Sequence, residues 1–362
     1  MRDTVSAMPQ PPAAAQDARP LAPEAAPELA PEVLAYTARD GQQKRRAPWV
    51  YAAVAAGQPY HHRTRNPWLH NAINLGATAA LLTGVGLVLA ASASVHPIIY
   101  IPAAALLFGL LYFALFILII HEASHSMYVL SADKKRAKLF NRLCGTVLAP
   151  LFAVDYRKHW EIGHLEHHVR PLEPTDPQRF SLPVGPELRR RLLMTLFVPG
   201  YLFYERTIGR TKVSEGKSSS SKPTIIAFIL MWATILTAAG LTFGYPAAIA
   251  LFWGVEVVAS FNLVKGGLEH GGAIGREEDP LFRSRTTLFF GRRLLMPFNI
   301  TLHFEHHLNF NVPWYALPRY QRDLAAIVPA AVRADVVNSV PSAQLSGRLG
   351  GLSPESRALV AP

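Results

Sequence analysis

Residues 97–125 read PIIYIPAAALLFGLLYFALFILIIHEASH, and this stretch decides the fold. Pro97 to Ile120 carries no charged side chain. At about 1.5 Å of rise per residue it is long enough to cross roughly 30 Å of hydrocarbon as one helix. The run breaks directly into His121-Glu-Ala-Ser-His125. Histidines four residues apart share one helix face, so the span ends by presenting paired imidazoles, with His125 about 7 Å beyond the apolar run.

Working outward, Asn71 to Ala93 forms a preceding apolar run, joined by the short turn Ser94-Val-His96, which has no Lys or Arg. Thr224 to Phe243 and Pro246 to Val264 repeat the pattern with another uncharged turn. The reading is an all-α polytopic membrane protein. Its four transmembrane helices (about 71–93, 97–120, 224–243 and 246–264) form two hairpins beneath a cytoplasmic helical cap. Composition agrees: 50% of residues are apolar against 17% charged, unlike an ordinary soluble domain. The formal charge of +11 comes from basic residues beside the apolar segments, among them Lys134, Lys135, Arg136, Lys138, Arg189, Arg190, Arg191, Arg206, Arg210, Lys212, Arg292 and Arg293. That placement suits an anionic membrane surface and argues against nucleic acid. The positive-inside rule puts both hairpin turns outside and the rest, with both termini, in the cytoplasm.

Three domain divisions are expected: a disordered Pro/Ala-rich tail over 1–45, a membrane domain over 46–335, and a flexible tail over 336–362. Met1-Arg-Asp leads into Pro/Ala-rich sequence without an apolar signal region. Leu192–Tyr204 and Thr287–Ile300 are apolar but too short to span, and read as segments lying in the interface. The lone Cys144 excludes a disulfide framework and a cysteine-based metal site.

Two further histidine boxes follow the first: His164-Leu-Glu-His167-His168 and His303-Phe-Glu-His306-His307, with His270 alone in Leu268-Glu-His-Gly-Gly272. Each box would aim two or three imidazoles the same way. All face the cytoplasm if the charge rule holds. Nine imidazoles exceed the four ligands of one zinc and suit two metals, iron being the imidazole-binding metal that activates O₂. Of the carboxylates beside them, Glu122, Glu166, Glu269 and Glu305, helix geometry turns Glu166 and Glu305 away from the imidazoles. They read as partners of ligands or as plain solvated groups. Glu256 sits inside the fourth span, where a charge is costly; a protonated interhelical hydrogen bond or a substrate contact would explain it. His159 reads as structural, and His61, His62, His70 and His96 as interface or turn residues. Two rivals come from other classes. His121-Glu-Ala-Ser-His125 is literally the HExxH of zinc proteases, but that reading leaves seven of these histidines unexplained. A metal carrier would want ligands along a transmembrane path.

With these boxes on the page, the chain resembles the integral-membrane fatty acid desaturases, the three-histidine-box di-iron enzymes. The likeness covers roughly 70–325, and includes Asp176-Pro177, Glu269-His270-Gly271 and Val312-Pro-Trp-Tyr-Ala-Leu-Pro318. It implies that His121, His125, His164, His167, His168, His270, His303, His306 and His307 hold two iron ions, with Asn262 a candidate for a water-mediated ligand. It also implies O₂-dependent desaturation of a fatty acyl chain on a membrane lipid, CoA or carrier thioester, in a bacterial inner membrane. His303 replaces the glutamine of desaturases fused to cytochrome b5. A separate electron donor of ferredoxin, rubredoxin or cytochrome b5 type, with its reductase, is therefore expected. Val169-Arg-Pro-Leu-Glu departs from the Thr-Asn common after the second box, which leaves the carrier open. Hydroxylation, ketolation and sphingoid-base desaturation are sister activities on the same scaffold.

Overall fold

The computed structural model describes residues 35–38, 41–179, 182–204 and 221–361. In chain order the main elements are β1 (Ala35–Thr37), β2 (Gln43–Arg45), α1 (Pro48–Ala56), α2 (Pro67–Ala90), α3 (Pro97–Leu115), α4 (Lys134–Leu148), α5 (Gly163–Val169), α6 (Gly185–Phe197), α7 (Lys222–Phe243) and α8 (Tyr245–His270). There follow β3 (Thr286–Thr287), α9 (His303–Leu308), α10 (Leu317–Leu324), α11 (Ala330–Val336), β4 (Val337–Asn338), α12 (Pro341–Leu345) and α13 (Pro354–Val360).

Among the described residues, four helical stretches are long and apolar enough to span: Pro67–Ala93, Pro97–Ser124, Lys222–Phe243 and Tyr245–His270. Their starts are written in the sequence. Asn66 caps α2 by accepting from the Trp68 and Leu69 amides at 2.9 and 3.4 Å, ahead of Pro67. Gly244, at φ 86°, supplies the left-handed turn that lets α7 reverse into α8.

The two helices of each hairpin are not buried equally. In the apolar windows of α3 and α8, 61% and 44% of residues are buried, against 6% and 17% for α2 and α7. α3 and α8 are thus the inner pair. A Cβ on Gly109 would meet Val257 at 2.2 Å, and one on Gly254 would meet Phe108 at 2.8 Å, so the two backbones approach where only glycine fits. That contact aligns the ends of α3 and α8, which carry His121 and His270.

Beyond the spans, α1, α9, α10 and α11 close over a second core built on Val50, Phe282, Leu302, Phe304, Tyr320 and Val332. Arg46 binds Asp279 with two bonds of 2.8 and 2.7 Å, both side chains buried, and so ties the start of the domain to the segment after α8.

Several expectations need correction. Residues 1–34 of the expected tail lie outside the described residues. Residues 35–37 and 43–45, however, pair as an antiparallel ladder, Ala35 opposite Arg45. The stretch after 336 is not loose. Gln344 donates to the carbonyls of Gly267 (3.1 Å) and Gly271 (2.8 Å), Ser353 and Ser356 bind Asp335, and Leu352 joins the second core. Buried polar bonds hold it, which an apolar periodicity does not reveal. The interfacial reading of 192–204 shifts: α6 starts at Gly185, and Tyr201–Tyr204 is a separate turn. Over 287–300 only Arg292–Leu295 is helical, and β3 pairs in parallel with β4. The amphipathic element that sequence reading missed is α4. Leu139, Phe140, Leu143 and Val147 are exposed along one face, with Arg136 on that same face and Lys134, Lys138 and Arg142 off it. The stretch Lys134–Phe152 meets Tyr156–Val169 at a bend of 118°.

Candidate metal centre

Each histidine box sits on a short helical piece fixed by the elements just described. α3 runs on as a π-helical turn, Phe116–His121, then one α-helical turn, Glu122–Ser124. Ser126, at φ 57°, stops the helix just after His125, and the Met127 amide returns to the Glu122 carbonyl at 2.8 Å. A second π-helical stretch, Tyr156–Ile162, leads into α5 and the second box. Such widened turns re-aim the side chains that follow, and both immediately precede or include box histidines. α9 carries the third box, and α8 ends on His270.

The structure brings all nine histidines together, in two adjoining groups. His121, His125, His164, His168 and His306 form one; His167, His270, His303 and His307 form the other; within each, the ligand atoms lie within 4.8 Å of one another. The expectation that each box aims all its imidazoles one way is corrected. Consecutive residues stand about 100° apart around a helix, so His167 and His168 diverge and each long box straddles both groups. The groups share a wall: the rings of His168 and His307 are 4.4 Å apart.

Hydrogen bonding turns these rings into metal ligands in waiting. His270 Nδ1–H donates to the Arg283 carbonyl at 2.8 Å, and a carbonyl only accepts, so its Nε2 carries a bare lone pair. His303 Nδ1 faces Glu269 Oε1 at 3.3 Å, and its Nε2 lies 2.9 Å from that of His270. His307 Nε2 lies 3.1 Å from His303 Nε2, and His168 Nε2 lies 3.2 Å from His164 Nε2. Nitrogens this close need either a shared proton or a cation between them. Neighbouring nitrogens about 2.1 Å from one ion would be about 3 Å apart. His121 Nε2, His125 Nε2 and His306 Nε2 are buried without a hydrogen-bond partner, an expensive state that a metal would relieve. The residues present therefore fit two imidazole-bound ions. Burial, reinforced by neighbouring imidazoles, pushes His303, His306 and His307 well below the usual histidine range and His125 down to about 3. Neutral rings are the form that ligates.

The carboxylates divide as helix geometry predicts. Glu305 accepts from Thr286 and from Gln321 at 2.9 Å, and Glu166 accepts from Thr175 at 2.6 Å, both away from the groups. Glu122 faces His121 Nδ1 at 3.2 Å, behind the ring, which is no place for the general base of an HExxH protease. Glu269 is clamped by Lys265 at 2.7 Å while facing His303. Asp176, which sequence reading noted only as part of a motif, accepts from His167 Nδ1 at 2.9 Å. Burial would raise the Asp176 pKa. His167 and the amides of Leu172 and Gln178 outweigh it and hold the group below the ordinary carboxylate range. Its signal was its place after the second box, readable only once the loop returned it to His167.

Other histidines fall outside both groups. His159 is buried against Trp160, and His62 is buried beside the Asn311 carbonyl. His61 binds Asn309 at 2.9 Å, and His96 caps α3. His70, expected at the interface, is 1% exposed and bonded to Tyr315 at 2.8 Å. Asn262 lies two turns before His270 on α8 and is half-buried. Glu256 is buried in α8, one turn from Ser260, whose hydroxyl donates to its carbonyl at 3.1 Å.

Four apolar helices, the inner two of which end at two adjoining groups of buried histidines, define a membrane-spanning helical protein with a candidate two-metal centre. The sequence matches the family model described as Fatty acid desaturase over residues 96–336, well over half the chain. The chain belongs to that family and is an oxidoreductase of the desaturase type. Comparison with curated proteins gives no match.

Proposed function

We propose that this chain is an O₂-dependent di-iron desaturase that removes two hydrogens from adjacent methylenes of a fatty acyl chain carried on a lipid or thioester. The observation that carries the reading is the paired, buried, all-imidazole constellation at the ends of α3 and α8. An alkyl C–H bond offers no acidic proton or leaving group, so side chains alone cannot attack it. Bound iron would supply the oxidising power, and the protein supplies position and dryness. Reducing O₂ to two waters takes four electrons, and the acyl chain yields two. The other two must come, one at a time, from a separate donor of ferredoxin, rubredoxin or cytochrome b5 type through its reductase, with two protons from solvent.

The chain's own residues support a dry site. Trp160 packs against His121, His164 and Phe116, with ring centroids 6.2, 4.8 and 5.2 Å away. Phe310 covers His125 and His168 at 5.6 and 5.0 Å from the opposite side. The cations of α4 and α6, by the positive-inside rule, support a histidine end at the cytoplasmic face of a bacterial inner membrane.

The test is expression in a host lacking the activity, followed by lipid mass spectrometry and metal analysis of the purified protein. Two irons per chain and acyl products lighter by two hydrogens are expected. Oxygen retained in the product would replace desaturation by hydroxylation or ketolation. A single zinc would overturn the reading.

A further inference from the structure

A cavity of about 260 Å³ opens beside the start of α2, lined by Arg65, Asn66, Leu69, His70, Tyr315 and Arg319. At roughly 30 Å³ per water it has room for about eight or nine waters, which suits a compact polar group and is too small for a long acyl chain as well. Its rim is lipid-facing: Trp68 and Leu69, the first residues after Pro67, are 86% and 64% exposed at the end of a span.

Besides the Asn66 side-chain nitrogen, the polar chemistry of the cavity reduces to its two guanidinium groups. Asn66 Oδ1 is taken up by the Trp68 and Leu69 amides. His70 Nε2 donates to the Met127 carbonyl, so Nδ1 accepts and the Tyr315 hydroxyl spends its proton there. Arg65 uses Nε and one terminal nitrogen on the carbonyls of Tyr60 (3.3 Å) and Pro59 (3.1 Å), which leaves the other terminal nitrogen for the cavity. The Arg319 guanidinium has no hydrogen bond or ion pair among the described residues. The nearest carboxylate on its helix, Asp323, is held by Tyr60 at 2.6 Å. Two cations therefore share one cavity at the membrane edge with no anion of the protein's own between them.

We propose that this cavity binds a phosphate-type anion, the charged head of a membrane lipid, through Arg65 and Arg319. Guanidinium groups suit phosphate oxygens, and the lipid-facing rim lets the apolar part of the same molecule leave along α2. The pocket also touches the metal end. His70, at its wall, bonds the backbone of Met127, two residues after His125. That the bound lipid is the acyl donor rests on the desaturase reading; the binding itself does not.

The full-length protein, delipidated and reconstituted with phosphatidylglycerol or phosphatidylcholine, is examined by native mass spectrometry and metal analysis. Arg319→Glu and the double variant Arg65→Gln/Arg319→Gln are compared with wild type. Arg319 is exposed, so its single variant keeps the test clear of folding effects. Wild type should retain one phosphatidylglycerol per chain in preference to phosphatidylcholine. Both variants should bind it about tenfold to a hundredfold more weakly, with metal content unchanged. Displacement by millimolar inorganic phosphate would identify the free anion as a sufficient ligand; resistance to it would identify the lipid head. Equal retention by wild type and Arg319→Glu, or no preference between the two lipids, overturns the proposal. Neither readout needs turnover, so a failed desaturase assay leaves the result intact.

Discussion

His167 donates its Nδ1–H at 2.9 Å to Oδ2 of Asp176, nine positions further along the chain, with both side chains buried. That bond fixes the ring so that Nε2 faces His270 and His307, whose ring centroids are 4.9 and 5.1 Å away. A carboxylate behind a ligating imidazole orients it and raises its basicity. Asp176→Asn keeps the shape and removes the charge. It should weaken metal retention by about tenfold or more, acting on the four-histidine group ahead of the five-histidine group. Metal-to-protein ratios during graded chelation would show this; unchanged ratios would remove Asp176 from the site's support.

His270 is the only one of the nine from α8, and its tautomer is fixed by the Arg283 carbonyl. His270→Ala should abolish turnover and lower metal content while the protein still inserts and folds. Wild-type rates would remove His270 from the ligand set.

The buried histidines set a pH dependence with a definite sign. Their folded pKa values lie below the ordinary value of about 6.5, so between the two the unfolded chain binds more protons than the folded one. The stability they contribute is complete above about pH 6.5 and falls as pH drops toward the folded value, about 3 for His125. Melting temperature and metal content should both decline on acidification from pH 7 to 5. A flat profile would mean that these rings are charged or solvated.

The contact of α3 with α8 leaves no space for a side chain at Gly109. Gly109→Val should cost about 1–3 kcal/mol through overpacking and shift His121 relative to His270. Expected outcomes are a lower unfolding midpoint and reduced metal content. Gly86, with nothing near its missing Cβ, provides the control: Gly86→Ala should change neither.

Removing residues 341–362 tests the corrected end of the chain. Gln344 is 1% exposed and satisfies two carbonyls around the end of α8. Gln344→Ala alone should cost about 1–3 kcal/mol by leaving the Gly271 carbonyl without its amide donor and removing the acceptor of Arg285. The truncation should cost more, seen as protease sensitivity near His270. Full stability after truncation would restore the loose-tail reading.

The sequence by itself determined the four spans, because a membrane helix is a local property: an apolar run of sufficient length that satisfies its own backbone. It also determined which histidines matter, since their three- and four-residue spacings are local too. Only the tertiary structure decided how nine imidazoles divide into five and four, because the division depends on the angle at which α3, α5, α8 and α9 converge. Asp176 behind His167, Gln344 beneath α8 and the Arg65–Arg319 cavity belong to the same class. Each joins residues whose partner is set by the returning chain, and hydrophobic periodicity carries no trace of a hydrogen bond made at a distance.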